Sequence, residues 1–283
     1  MELLRALAAL CEPPGPESAR LASLLELGEV PAEAEWSDLF VFQLPPYASI
    51  YLGADGRIGG EARDRIAGFW RALGLDPPNE CDHLAVMLAF YAKLGEREVK
   101  AAEDAERRRW RHVRAAFLWE HLSSWLPPYL VKLDLVAPAF FRRWGGLVGS
   151  SLGAESESPS PPEEPLHWRE APLLADPRVA GGRAFLESLL TPLASGLLLT
   201  RADLERGAGE LGLALRVGER RFVLETLLAQ EPAAVLAWLE AECGAWHARL
   251  AAARTDGLET GCFWLERTAA TAALLGTLAA EAG

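Results

Sequence analysis

The sequence predicts an all-α protein. Three observations carry that prediction: apolar residues recur at helical spacing along most of the chain, no two segments alternate as a strand pair, and prolines and glycines fall where helices would start and stop. The chain has 283 residues, 50% of them hydrophobic, which allows one large domain or two modest ones with a sizeable core. A formal net charge of −12 argues against a general nucleic-acid binder, because phosphate recognition needs a basic surface. The same charge suits a partner that carries positive charge.

Taken in order, residues 1–11 are short and apolar. Glu2 stands where a lipoprotein signal would carry lysines, and Leu10 where its cleavage site needs a small residue, so the segment reads as an ordinary first helix. Residues 17–27 are amphipathic and close at Gly28. Pro31 opens a helix carrying Trp36, Leu39, Phe40 and Phe42, which Pro45-Pro46 ends. Tyr47-Ala48-Ser49-Ile50-Tyr51 alternates like a short strand but has no partner nearby, and is read as a loop or helical turn. Residues 61–73 form a helix with Ile66, Phe69, Trp70 and Leu73 inward and Gly74 as its stop.

Pro77-Pro78 precedes Asn79-Glu80-Cys81-Asp82-His83, which opens a segment apolar on nearly every side. Leu84, Met87, Leu88, Tyr91 and Leu94 follow helical spacing, Val86 and Phe90 widen the stripe, and the helix belongs in the middle of a bundle. Asp82 is the expected N-cap. After Gly95 a long helix is expected from about 97 to 126, with Glu103–Arg107 and Asp104–Arg108 pairs at i,i+4. Its run Arg107-Arg108-Arg109-Trp110-Arg111-His112-Val113-Arg114 reads as a solvated face balanced by upstream acids, with an RNA or phosphate contact as the rival reading. Phe117, His121 and Trp125 share a face, and Pro127-Pro128 ends the helix. The next helix carries Leu130, Leu133, Leu135, Phe140, Phe141 and Trp144, with Pro138 as a kink or restart.

Residues 150–166 are rich in Ser, Pro and Glu and read as a flexible linker between a helical domain, 1–149, and a C-terminal helical region, 167–283. In the latter, Thr200-Arg201-Ala202-Asp203 resembles a capping box, Gly218-Glu219-Arg220 begins a helix through Leu228, Pro232 starts one through Trp238, Leu239 and Trp246, and Cys262 begins the last.

Several chemistries are set aside. The four cysteines form no CxxC pair and read as reduced thiols. No phosphate-cradling GxxxxGK[ST], no GxGxxG after a strand, no HExxH and no GxSxG is present, and Gly207-Ala208-Gly209 reads as a packing or flexibility feature within a helix. The five histidines show no paired ligand spacing, so no metal site is expected. Asp82 and His83 with Ser49 or Tyr51 make a poor hydrolytic set, since adjacent positions at a helix start do not give the base and its orienter the required geometry. The longest uncharged runs, 188–200 and 268–280, fall short of the ~18 apolar residues of a membrane span, so a cytoplasmic, non-enzymatic protein is expected.

Three segments occur in a set order: Pro45-Pro46-Tyr47-Ala48-Ser49-Ile50-Tyr51, then Glu80-Cys81-Asp82-His83-Leu84, then Phe117-Leu118-Trp119-Glu120-His121-Leu122-Ser123-Ser124-Trp125-Leu126. Together they resemble the P-Y-x-S-x-Y segment, the E-x-P-x-D-H or E-P-x-D-H loop and the H-L-x-x-W helix of the TorD/DmsD/NarJ family of molybdoenzyme maturation chaperones. The proline expected before Asp82 is replaced by Cys81. The resemblance covers about residues 36 to 145, with a weaker likeness of residues 197–221 to a C-terminal region of longer members.

It implies a TorD-like helical bundle with an additional C-terminal helical region. It also implies a cytoplasmic chaperone that binds the apo catalytic subunit of a molybdopterin-dependent oxidoreductase, at its twin-arginine signal peptide, and holds it for cofactor insertion before export. No resident cofactor is implied, although some members are linked to weak guanine-nucleotide binding. The signal's guanidinium groups would seek Glu80, Asp82 and Glu120, while Tyr47, Ser49, Tyr51, His83, His121 and Trp125 would line the groove. Burying ~400 Å² of apolar signal at ~25 cal/mol per Å² gives ~10 kcal/mol before the peptide's ordering entropy is subtracted, so micromolar binding is expected. A loop that joins two halves invites a domain-swapped homodimer. The alternative is a non-catalytic assembly or scaffold subunit of a respiratory oxidoreductase complex.

Overall fold

The computed structural model describes residues 1–155, 164–253 and 262–283. Those residues are all-α, with no strand and one isolated antiparallel bridge, between Tyr47 and His83. They fall into two compact units. Among the described residues the first comprises Met1–Leu52 and Arg57–Arg169, and the second Gly53–Gly56, Glu170–Ala253 and the C-terminal helix.

The first unit runs α1 (Glu2–Cys11), α2 (Ser18–Leu24), α3 (Glu33–Ser37), α4 (Ala48–Leu52), α5 (Gly60–Ala72), α6 (Leu84–Lys100), α7 (Asp104–Phe117), α8 (Leu126–Val136), α9 (Ala139–Glu155) and α10 (Leu166–Arg169). Two π-helical turns, Asp38–Gln43 and Leu118–Ser123, continue α3 and α7. Helix α6 is the core element: Leu84, Met87, Leu88, Phe90, Tyr91 and Leu94 are all buried. It packs along α1 and α7, and its Phe90 stacks on Trp70 of α5 at 3.8 Å. The Trp144 indole of α9 donates to the Leu7 carbonyl at 2.9 Å and ties α9 to α1.

Several boundaries differ from the sequence expectation. Gly95 does not end a helix; α6 runs through it to Lys100. A Cβ at Gly95 would lie 2.5 Å from the Met1 sulfur, so the glycine serves close packing against the start of α1. The expected helix over 97–126 is divided, because the chain turns before Asp104 and the π-turn follows Phe117. Asp104 pairs with Arg107 at 2.6 Å, one turn away at i,i+3, while Glu103 sits at the N-cap position. Pro127 and Pro128 open α8 instead of closing its predecessor, as suits residues that lack an N–H a first turn does not use. Pro138 marks a restart. Helix α9 takes in Ser150–Glu155, with Leu152 fully buried, while 156–163 of the Ser/Pro/Glu-rich stretch lie outside the described residues.

The second unit contains α11 (Pro177–Ala180), α12 (Gly182–Leu189), α13 (Pro192–Ser195), α14 (Arg201–Leu211), α15 (Arg220–Gln230), α16 (Pro232–Ala252) and α17 (Cys262–Ala282). Helices α16 and α17 pack along each other and bury Leu239, Cys243, Trp246, Trp264 and Leu275. The capping box at α14 forms as expected: Asp203 Oδ2 accepts from the Thr200 N–H at 2.7 Å, and Thr200 Oγ1 accepts from the Asp203 N–H at 3.3 Å.

Candidate functional site

The first two motif segments meet. The Ala48 N–H donates to the Asp82 carbonyl at 2.9 Å, and the Leu84 N–H to the Pro46 carbonyl at 2.8 Å. These bonds straddle the Tyr47–His83 bridge and hold the start of α4 against the start of α6. Proline at 46 has no N–H to satisfy, so its carbonyl is its only backbone claim on a partner. Tyr47-Ala48-Ser49-Ile50-Tyr51 is therefore the bridge residue followed by one helical turn.

Asp82 does not cap α6. It is 1% exposed, and its Oδ2 accepts from the Ser49 hydroxyl at 2.5 Å. Ser49, fully buried, in turn accepts from the Gly59 N–H at 3.0 Å. The N-cap is His83, whose Nδ1 accepts from the Ala85 N–H at 3.3 Å. A nitrogen that accepts there carries no proton, and burial lowers the His83 pKa in agreement with a neutral ring. The nearby Glu12 carboxylate, 3.6 Å from the same Nδ1, becomes its partner only on protonation.

The third segment reaches the first through Tyr51. The Tyr51 ring stacks on Trp125 at 5.1 Å and 11°, and Tyr129 meets both edge-on. The Tyr51 hydroxyl donates to the Pro45 carbonyl at 2.9 Å and the Tyr129 hydroxyl to the Leu44 carbonyl at 3.2 Å, so two phenols fix the turn before Tyr47. The Trp125 indole donates to the His121 carbonyl at 2.9 Å and is fully buried.

Glu120 and His121 lie apart from the Tyr47–His83 contact. Glu120 Oε1 accepts from the Leu166 N–H at 2.8 Å and so holds the start of α10. Burial raises its pKa even though that bond acts the other way. His121 packs against Phe69, Phe117 and His167, at 5.4, 5.3 and 6.4 Å between ring centres. Burial, with His167 and Arg65 nearby, pushes its pKa down to about 3.

Of the residues singled out by sequence, Ser49, Tyr51, Asp82, His83, His121 and Trp125 are buried, Tyr47 and Glu120 are partly exposed, and Glu80 is exposed. Tyr47 and Glu80 hydrogen-bond, and burial with that carboxylate raises the phenol's pKa to about 12. Glu12 is a residue that the sequence did not mark. It follows Cys11, the last buried residue of α1, and packing of α1 on α6 carries it to His83. Glu12 and Glu80 thus place two exposed carboxylates at the Tyr47–His83 contact. Four and five residues before Tyr47 in number order, Gln43 and Phe42 end the π-turn; Phe42 is 57% exposed and Val41 51%, because the wide turn aims Leu39 and Phe40 inward instead. Among the described residues no group of carboxylates, histidines and cysteines could hold a metal ion.

The architecture is that of a helical domain in which an aspartate–serine bond and an aromatic stack join three separated motifs. A family model described as nitrate reductase delta subunit matches residues 4–130. Two proteins named Chaperone protein TorD, from Vibrio vulnificus strains YJ016 and CMCP6, are each 33% identical over 104 residues, 34% of this chain and 48% of theirs. The chain spans about half the length of the curated relatives it matches. No solved structure gave a significant match. The N-terminal segment is thus similar to the TorD/DmsD/NarJ family over residues 4–130.

Proposed function

We propose that this protein is a cytoplasmic, non-catalytic chaperone for a molybdopterin-dependent oxidoreductase, binding the apo catalytic subunit through its twin-arginine signal peptide. The observation that carries the reading is the joined motif contact, with the exposed carboxylates of Glu12 and Glu80 beside it. Glu12 and Glu80 offer two acceptors for guanidinium groups, and Tyr47 offers an aromatic ring near them. Val41 and Phe42 provide exposed apolar surface in the segment that leads to Tyr47, suited to the signal's apolar stretch. Asp82, buried and bonded to Ser49, acts in this reading by holding the contact together and leaves peptide binding to its neighbours. No described helix is long and apolar enough to cross a membrane, which is compatible with the proposed location.

The test is calorimetry with a signal peptide carrying paired arginines ahead of an apolar stretch. Changing Glu12→Gln and Glu80→Gln together should weaken binding about tenfold, as expected from ~1.4 kcal/mol lost across two exposed charge-assisted contacts. Both side chains are surface groups, so the variant keeps its fold. Unchanged affinity would reject this site. Recovery of only mature, cofactor-loaded complexes from the native host, and never an apo subunit, would reject the chaperone role.

A further inference from the structure

The basic run of α7 divides into two sets once its partners are known. Arg107 is neutralised by Asp104 and also donates to the Ala101 carbonyl at 3.1 Å. Arg111 pairs with Glu98 at 2.8 Å. Arg114 reaches Glu155 at 2.8 Å and lies 3.2 Å from the other Glu98 oxygen, an ion pair more than an aligned hydrogen bond. These three arginines serve the packing of α7 on α6 and α9.

Arg108, Arg109 and His112 are exposed and have no ion pair or hydrogen bond among the described residues. Of the carboxylates on the same helix, Asp104 pairs with Arg107 and Glu106 accepts from the Trp110 indole at 3.4 Å, and neither forms an ion pair with Arg108 or Arg109. Arg97 of α6 lies elsewhere, with its guanidinium 5.0 Å over the ring of Trp110, which faces away from Arg108 and His112 at helical spacing. The chain as a whole is strongly acidic, so this arginine-bearing face is a local exception.

We propose that the exposed face of α7 formed by Arg108, Arg109 and His112 docks an acidic helical segment of a partner protein. Carboxylates one turn apart on that segment would match the spacing of Arg108 and His112, with Arg109 beside them. A nucleic acid fits less well: phosphate-backbone binding gains affinity with each neutralised phosphate, and so few cations on so acidic a protein neutralise few. The surface is independent of the Glu12–Glu80 site, and its fate does not bear on the chaperone reading.

The probe is a helical glutamate–alanine peptide with glutamates one turn apart, titrated at low salt against the full chain. Binding should be saturable, lost at high salt, and at least tenfold weaker in Arg108→Glu/Arg109→Glu. The milder Arg108→Gln/Arg109→Gln variant should show an intermediate loss, with the helical circular dichroism of the parent. Arg216→Glu/Arg221→Glu, an equal charge reversal in the second unit, should leave affinity unchanged. Equal loss in that control, or no loss in the α7 variants, overturns the proposal. Single-stranded RNA of equal charge that binds more tightly than the peptide, through the same arginines, overturns it in favour of a nucleic-acid site.

Discussion

Ser49 carries more structural weight than its size suggests. Its hydroxyl donates to Asp82 and accepts from Gly59, and both it and Asp82 are buried. Ser49→Ala leaves a buried carboxylate oxygen and an amide without that partner, and should destabilise the protein by about 2 kcal/mol in urea unfolding. Glu80→Gln, at an exposed position, should change stability by less than about 0.5 kcal/mol, so a neutral Ser49→Ala would show that the bond contributes little. The histidines set a pH dependence. His83 and His121 are both held below the ordinary histidine pKa, His121 at about 3. Between the folded and unfolded values the unfolded chain binds the proton and the folded chain does not. For His121 that contribution is full above about pH 6.5 and is lost as pH drops toward 3, by up to about 1.4 kcal/mol per pH unit, and His83 acts in the same direction. His121→Phe should flatten that slope between about pH 6 and 4 in denaturant melts, and an unchanged slope would show that His121 titrates normally.

At the scale of the element, α14 offers two glycines with opposite roles. A Cβ on Gly207 would sit 2.5 Å from the Trp238 ring of α16, a rigid neighbour, whereas a Cβ on Gly209 meets nothing within 4 Å. Gly207→Ala should destabilise by about 1–3 kcal/mol through overpacking. Gly209→Ala should stabilise by about 0.5–1 kcal/mol, because alanine loses less backbone entropy in a helix. Thermal melts of the two single variants with shifts of the same sign would refute the packing of α14 on α16. The π-turns show a related point: Asp38–Gln43 turns Phe42 outward, although at regular α-helical spacing it would share the stripe of Leu39 and Trp36.

On the scale of the molecule, the family match at residues 4–130 lies within the first compact unit except for Gly53–Gly56, and every motif of the candidate site lies in that unit. That unit has its own core around α6, so a fragment of residues 1–169 should melt cooperatively by circular dichroism. A broad, non-cooperative loss of signal would show that its core is incomplete without the rest of the chain.

Helix content, the buried character of α6, the capping box at Thr200 and the order of the three motifs were legible in the residues, because each depends on neighbours a few positions apart. The roles within the motifs were not. Asp82 looks like a cap from its place before an apolar run, but Ser49, 33 residues earlier, takes its carboxylate, and His83 takes the capping bond. Glu12 carries no motif at all and reaches His83 through the packing of α1 on α6. Periodicity reports which way a side chain faces relative to its own helix axis. Whether a polar group then meets water, a hydroxyl or a ring depends on which distant element packs over it, and that follows from the shape of the whole core.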